Sequence, residues 1–212
     1  AGMENCAKSQ RKSAEPFTLY GRAIEKNQIV KQAFERNGYV SNISFLVMEI
    51  TLTGKMPMPQ WAEGINVRKF VRGQDEEETY RADEEASEDK GYHAPLNFEG
   101  WAKRMGLNSG LFDPDIWFLA CGGNKIAGVC LNVIAKDSNI CWVDHLGVRR
   151  AWHKKGIGKA LLLHTFNEMY KRGVTSVKLS VDSKSLTNAP KLYESVGMQT
   201  VQQYHIFKKQ IQ

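Results

Sequence analysis

The 212-residue sequence lacks any apolar run close to the roughly 18 residues that a membrane-spanning helix needs, which excludes a helical membrane protein. It also lacks a charged segment followed by an apolar one near its start, so we expect no secretory leader. Cysteine is scarce, and its four positions do not have the CxxC spacing of a zinc or redox site: Cys6, Cys121, Cys130 and Cys141. Because three of them lie in apolar, strand-like runs, we expect buried reduced thiols, no bound metal and a cytoplasmic location.

Lysine and arginine outnumber aspartate and glutamate by 29 to 23, which gives a formal charge of +6. A basic surface suits polyanionic partners, both nucleic acids and phosphorylated cofactors, although a basic surface can also be merely solvated. The basic residues concentrate at one glycine-rich turn and at the C-terminus, without the interleaved aromatic side chains on which bases stack. We therefore expect no nucleic-acid partner.

Composition also indicates how the chain is organised. Residues 52–64 contain two prolines and two glycines without a periodic apolar pattern, which predicts a linker between domains. Residues 65–212 alternate strand and helix patterns in the order β–α–α–β–β–β–α–β–α–β. This alternation predicts an α/β protein with a mixed sheet.

The segment before the linker resembles the end of the second domain. Phe34 and Tyr193 occupy equivalent places in two helical patterns, which stop at Gly38 and Gly197 ahead of a strand. Helices that end in glycine are common, so coincidence is one explanation and tandem duplication is the other. On the second explanation, residues 1–51 are the tail of a first copy.

The most informative segment is residues 143–163, VDHLGVRRAWHKKGIGKALLL. A predicted strand runs into a basic loop, and Gly156 and Gly158 then open a helix. Glycine lets the backbone approach a ligand closely, and the unpaired N–H groups of a helix start bind anions, so the pattern predicts a pyrophosphate cradle. It does not match a P-loop, whose hydroxyl position is Ala160 here, or the GxGxxG fingerprint, whose third glycine is Leu161.

Two motifs together indicate a family. The stretch LGVRRAWHKKGIGKALL resembles the coenzyme A-binding motif of the GNAT superfamily of acyl-CoA-dependent N-acyltransferases, with His153 where glutamine or arginine is usual. Residues 181–198 resemble that family's second signature, a polar residue ahead of an LYExxG helix, with Ser185 in place of asparagine. The arrangement is most similar to tandem GNAT proteins of the mycothiol-synthase-like type, with only the second copy complete, over residues 65–212.

The resemblance implies the GNAT acyl-CoA N-acyltransferase fold and direct transfer of an acetyl group from acetyl-CoA to a primary amine of a small molecule or peptide. A catalytically silent acyl-CoA-binding module with a regulatory role is the alternative. Tyr193 matches the family's usual general acid, a phenol near the thioester sulfur. For the base, a regularly alternating strand would place Asp144 on the face of Leu146 and Val148, which favours Asp144 over His145 and leaves a water-relayed base open.

The resemblance also implies a set of cofactor-binding residues along the strand end, the loop, the helix start and the second signature. They are Leu146, Gly147, Val148, His153, Lys154, Lys155, Gly156, Ile157, Gly158, Lys159, Ala160, Ser185 and Asn188. The region equivalent to the family's acceptor wall, residues 75–105, is rich in acidic residues, which would suit a cationic acceptor or would form a solvated helix face. We expect acetyl-CoA as the co-substrate, an amine acceptor and no metal; a homodimer stays open.

Overall fold

The computed structural model describes residues 16–110, 112–135, 137–185 and 187–211. Cys6 and the first 15 residues of the predicted repeat lie outside these ranges. The chain divides into two compact units. The first comprises the described residues up to Val47, Val181–Lys184 and those from Thr200 onward, and the second comprises Met48–Ser180 and Ser185–Gln199.

The first unit is built mainly from the two ends of the chain. Its elements are β1 (Phe17–Ile24), α1 (Gln28–Arg36), nearly all of β8 (Gln199–Ile211) and the part of β2 (Val40–Thr51) up to Val47; the rest of β2 belongs to the second unit. Strand β8 lies between β1 and β2 and pairs antiparallel with β1. Helix α1 packs through Phe34, whose ring lies 5.1 Å from that of Phe207. A Cβ atom at Gly21 would lie 2.2 Å from the Phe34 ring, so this packing needs a glycine.

The second unit contains the remaining elements, which are β3 (Ile65–Lys69), α2 (Glu76–Ser87), α3 (Phe98–Arg104), β4 (Phe118–Gly122), β5 (Lys125–Ala135), β6 (Ile140–Val148), α4 (Ile157–Lys171), β7 (Ser176–Asp182) and α5 (Ala189–Glu194). The strand order is β2-β7-β6-β5-β4-β3, antiparallel from β3 to β6 and parallel between β6 and β7. This order confirms the predicted mixed α/β sheet. Strand β8 was expected to close the second domain but lies almost entirely in the first unit. The repeat and its boundaries stay predictions.

Helices α2 and α4 cover opposite faces of β6. Gly147 faces α2, and a Cβ atom there would lie 2.6 Å from the Cβ of Ala86, so α2 comes as close to the strand as a glycine allows. The next residue, Val148, lies on the other face beside Gly158 in the first turn of α4. No helix among the described residues, α4 included, is long and apolar enough to cross a membrane.

Two of the three thiols of the second unit are buried as predicted, and the third is only partly buried. Cys130 and Cys141 are buried, Cys121 is half-buried, and all of them are free. Burial raises the pKa of Cys130 to about 12, so this thiol stays protonated at neutral pH.

The start of α2 is anchored by Asp75, the residue that precedes it. Its carboxylate accepts hydrogen bonds from both terminal nitrogens of Arg68, at 2.5 and 2.7 Å, and from the backbone N–H of Val71, at 2.7 Å. Burial alone would raise the pKa of Asp75, but these hydrogen bonds outweigh it and hold the pKa below its usual value. The carboxylate therefore stabilises the fold at neutral pH, and that contribution is lost as the pH falls through the lowered pKa.

We predict that Asp75→Ala lowers the free energy of unfolding by about 2 kcal/mol, because hydrogen bonds to a buried charged group are lost. Urea denaturation at pH 7 measures the change. Glu77→Ala is the matched control on the same helix, because it removes an exposed ion pair with Arg81 that is worth less than about 1 kcal/mol. Equal losses in the two variants would show that Asp75 does not anchor α2.

Candidate functional site

Strand β6 parts from its parallel neighbour β7 halfway along its length. The pairing runs from Ile140↔Ser176 to Val143↔Leu179, whereas β6 continues to Val148. Past this point, β6 still pairs with β5 on its other edge. One edge of β6 is therefore left without a β7 partner over its last residues.

The backbone of Leu146 points to that open edge. The N–H of Arg149 donates to the carbonyl of Ala127 on the β5 side, at 2.9 Å. Because bonding direction alternates along an antiparallel strand, Gly147 also bonds toward β5, and Leu146 and Val148 bond away from it. An extended ligand can therefore pair with Leu146 in the manner of a strand, as predicted. The carbonyl of Val148 already accepts a hydrogen bond from Nε2 of His153, at 2.7 Å.

The loop after β6 presents a run of unused backbone donors. Lys154 and Gly156 adopt left-handed conformations, with φ of 61° and 75°. Among the described residues, no acceptor is found for the N–H groups of Lys154 through Lys159, whereas those of His153 and Ala160 bond to Arg150 and Gly156. Successive free amides at a left-handed turn and a helix start form an anion-binding concavity. This arrangement has the geometry that the predicted pyrophosphate cradle needs, and the cradle stays a prediction.

The arginines of the loop form ion pairs with acidic residues, whereas its lysines are exposed to solvent. Arg149 donates to Glu85 and Glu78 of α2, at 2.6 and 2.8 Å, and Arg150 donates to Asp89 at 2.6 Å. These pairs use much of the acidic face of α2, which was expected either to attract a cationic acceptor or to be solvated. The exposed lysines Lys154, Lys155 and Lys159 form no ion pair with another described residue. Their positive charges are therefore available to an anionic ligand.

Several predicted cofactor-binding residues have other roles in the structure. Gly147 is buried under α2, where its missing side chain makes room for Ala86. The N–H of Ala160 is used inside α4, because it donates to the carbonyl of Gly156 at 3.0 Å. The side chain of Ile157 is buried in the core, so only its backbone N–H faces the loop. The cradle is thus smaller than the predicted set.

The second signature lies on α5 and the turn before it. Asn188 precedes the helix in a left-handed conformation, with φ of 53°, and the hydroxyls of Ser185 and Thr187 lie 3.0 Å apart. Helix α5 packs on the first turn of α4, because a Cβ atom at Gly158 would lie 3.3 Å from Leu192. Tyr193 is the next residue along α5 and is buried. Burial raises the pKa of its phenol, with smaller contributions from Cys130 and Tyr92, so the hydroxyl keeps its proton.

A β-bulge changes the expected geometry of the candidate bases. Leu131 of β5 pairs with His145 and Asn132 pairs with Val143, so Asp144 has no partner on β5. The prediction that side chains alternate regularly along β6 at this point, which favoured Asp144 as the base, is therefore wrong.

The two residues at the bulge have different surroundings. Asp144 is exposed and lines a cavity of ≈ 180 Å³, together with Arg104, Met105, Phe112, Trp117 and Asn132. His145 meets α2 instead: its Nδ1 lies 2.7 Å from Oδ2 of the buried Asp83.

Asp83 was missed by reasoning from the sequence. Within the acidic helix it looked like one more solvated carboxylate, yet it is 1% exposed and accepts a hydrogen bond from the indole of Trp101, at 2.9 Å. The spacing contained a signal, because Thr79, Ala82 and Asp83 share the buried face of α2. A carboxylate on that face needs a polar partner.

The chain is similar to known proteins. The profile of the acetyltransferase (GNAT) family matches residues 72–198. A mycothiol acetyltransferase of Thermobispora bispora is 31% identical over 155 residues, which are 71% of this chain and 52% of that protein. The chain spans about half the length of the curated relatives it matches.

Solved structures match the fold as well. A GCN5-related N-acetyltransferase from Sphaerobacter thermophilus is 35% identical with a TM-score of 0.83, over 99% of this chain and 65% of that one. A tandem GNAT protein from the clavulanic acid biosynthesis pathway is 10% identical with a TM-score of 0.72, over 98% of this chain and 66% of that one; this likeness concerns the fold alone. The fold implied by the two motifs is confirmed.

We predict that Gly156→Val weakens the binding of coenzyme A by more than about tenfold, because a β-branched residue does not tolerate φ of 75° and the loop amides would turn away. Titration calorimetry measures the affinity. Gly173→Val is the matched control at the other end of α4, with φ of 76° and, as at Gly156, no atom within 4 Å of the added Cβ. Similar affinities in both variants would contradict the assignment of the cradle.

Proposed function

The chain belongs to the acetyltransferase (GNAT) family, and from that premise we propose that it is an N-acetyltransferase, which moves an acetyl group from acetyl-CoA to a primary amine of a small molecule or peptide. One observation supports the proposal most: the backbone N–H groups of Lys154 through Lys159 have no acceptor among the described residues and lie beside the open edge of β6. Donors in such a run are costly to leave unpaired unless a ligand or water uses them.

The residues present fit acetyl-CoA. The amides of the cradle would hold the pyrophosphate, and Lys154, Lys155 and Lys159 would add charge attraction to it. The backbone of Leu146 would pair with the amide groups of the pantetheine arm. When bound, acetyl-CoA supplies an activated acetyl group as a thioester.

Tyr193 would stabilise the departing sulfur. Its buried phenol stays protonated because burial raises its pKa, so it is a hydrogen-bond donor at any pH at which the enzyme works. A phenol is a weaker acid than a thiol, so complete proton transfer to a thiolate is uphill and the hydrogen bond itself provides the stabilisation.

Asp144 would attract the acceptor. Its exposed carboxylate lines the cavity beside Trp117, where an ammonium group would find an opposite charge. This role suits an amine that arrives protonated at neutral pH.

We also propose that residues 1–51 are the tail of a first GNAT copy. The local geometry after the two helices agrees: Tyr39 N–H donates to Phe34 C=O at 3.0 Å, and Met198 N–H donates to Tyr193 C=O at 3.1 Å. Both helices are followed by a left-handed glycine, and a tandem GNAT protein has a similar fold. Phe34 has no hydroxyl, so this copy would lack the proposed hydrogen-bond donor.

We predict that coenzyme A binds with micromolar affinity at low salt, and that wild-type protein releases free thiol from acetyl-CoA with at least one member of a panel of primary amines. Calorimetry without heat at millimolar coenzyme A would overturn the proposal. Binding without thiol release from any amine would favour the catalytically silent module.

We predict that Tyr193→Phe lowers the rate of thiol release by roughly 100-fold with unchanged coenzyme A affinity, because the hydrogen-bond donor to sulfur is removed. Tyr170→Phe, on the exposed side of α4, is the control and should keep the wild-type rate. An unchanged rate in Tyr193→Phe would mean that another group or water assists the sulfur.

A further inference from the structure

His145 stands where the open edge of β6 begins. It directly follows the bulged Asp144, which lines the cavity, and directly precedes Leu146, whose backbone faces the open edge. Its side chain is 12% exposed. The residue thus lies between the region proposed for the acceptor and the region proposed for the thioester.

The ring of His145 is held by one nitrogen. Nδ1 is sealed from solvent and lies 2.7 Å from Oδ2 of Asp83, an ion-pair contact whose alignment falls short of a regular hydrogen bond. No ion-pair partner for Nε2 is found among the described residues. A carboxylate at Nδ1 fixes the tautomer in which Nδ1 carries the proton and Nε2 is a free acceptor.

Asp83 is itself immobilised. It is 1% exposed, and its Oδ2 also accepts the hydrogen bond from the indole of Trp101 on α3, at 2.9 Å. Burial would raise the pKa of Asp83, but the contact with His145 and the Trp101 hydrogen bond lower it overall, so the carboxylate stays charged. A buried charge with so few partners is costly to keep, which points to a role beyond packing.

From this geometry we propose that His145 is the general base of the reaction and that Asp83 is its positioning residue. The proposal rests on the proposed N-acetyltransferase function. Asp144, the base favoured by strand alternation, then serves to attract the acceptor.

The charged groups around His145 come from several elements. Asp83 of α2 contacts its ring directly, at 2.7 Å. Lys90, in the segment after α2, interacts electrostatically with Asp83 and Glu84 of α2, with Arg104 at the end of α3 and with Asp144 of β6, so these charges share one neighbourhood.

The proton balance is complete without another reactant. The acceptor ammonium gives one proton to Nε2 of His145, and its nitrogen then forms a bond to the thioester carbonyl carbon as the carbon–sulfur bond breaks. The second proton lost by the nitrogen reaches the sulfur through solvent, while the departing thiolate accepts a hydrogen bond from the Tyr193 hydroxyl, which keeps its own proton. His145 returns its proton to solvent.

Nitrogen NMR of the ligand-free protein, labelled at histidine, tests the geometry without any turnover. The resonance lost in His145→Gln identifies the ring. In wild-type protein at pH 8 we expect the proton on Nδ1, and in Asp83→Asn we expect this preference to be lost. A proton on Nε2 in the wild type would overturn the proposal, because that nitrogen could not then accept one.

The pH dependence of kcat/KM tests the role. With a strongly basic amine from the panel, the wild-type profile should show an acid limb, because a general base must be unprotonated to accept the proton of the ammonium. His145→Gln should lose roughly 100-fold in rate and lose this acid limb. Asp83→Asn, which keeps the shape of the side chain, should lower kcat several-fold with little change in KM, because the imidazole is no longer held in the orientation that accepts the proton.

A second histidine–carboxylate pair supplies the matched control. Nε2 of His93 lies 3.2 Å from Oε2 of Glu84, which is on α2 beside Asp83. Like that of His145, the His93 side chain is 12% exposed. His93→Gln should keep the acid limb and the rate within about twofold. The His145→Gln variant should acetylate a weakly basic alkoxyamine nearly as fast as the wild type does. This amine is already neutral at pH 7, so no base is needed to deprotonate it.

The outcomes separate the two proposals. An acid limb that survives in His145→Gln, or that disappears in Asp144→Asn alone, overturns the role of His145 and leaves the N-acetyltransferase function intact. Wild-type protein without turnover on any amine overturns the proposed function and the base together.

Discussion

The early end of the β6–β7 ladder is the constraint on which the rest of this site depends. Parallel pairing stops at Val143 and Leu179, so the last residues of β6 are held on one edge only, by β5. An unpaired strand edge is a liability in a folded protein unless something covers it. Here the open edge leads directly into a loop of free amides, so that one extended ligand with an anionic end can satisfy the strand edge and the helix start together.

Helix α2 contacts both the residues that fix its position over β6 and the ring of His145. It is fixed over β6 by the close contact of Ala86 with Gly147 and by the ion pairs of Glu78 and Glu85 with Arg149. These restraints bring Asp83 onto the ring of His145. Arg149 is occupied by these pairs and Arg150 by its pair with Asp89. The lysines therefore remain as the unpaired positive charges of the loop. An arginine suits this anchoring role because its planar fork bonds two carboxylates at fixed geometry.

Local patterns predicted local features well. The predicted strand before the basic loop is β6, and the helix that Gly156 and Gly158 were predicted to open is α4, which begins at Ile157, because strand and helix patterns are encoded in adjacent residues. The placement of β8 could not be predicted in this way. Its partner β1 lies at the opposite end of the sequence, and strand pairing over such a distance leaves no local pattern.

By itself, the sequence determined the anion cradle, since two glycines and a lysine-rich turn at a helix start act through backbone donors that need no distant partner. The tertiary structure alone decided which of two neighbouring side chains, Asp144 or His145, contacts a buried carboxylate. One extra residue in β6 relative to β5 cancels the alternation on which a choice between Asp144 and His145 rests. The register of a bulge is set by the facing strand, and the partner of His145 is set by the packing of a helix about sixty residues earlier, so neither is written in the neighbourhood of the motif.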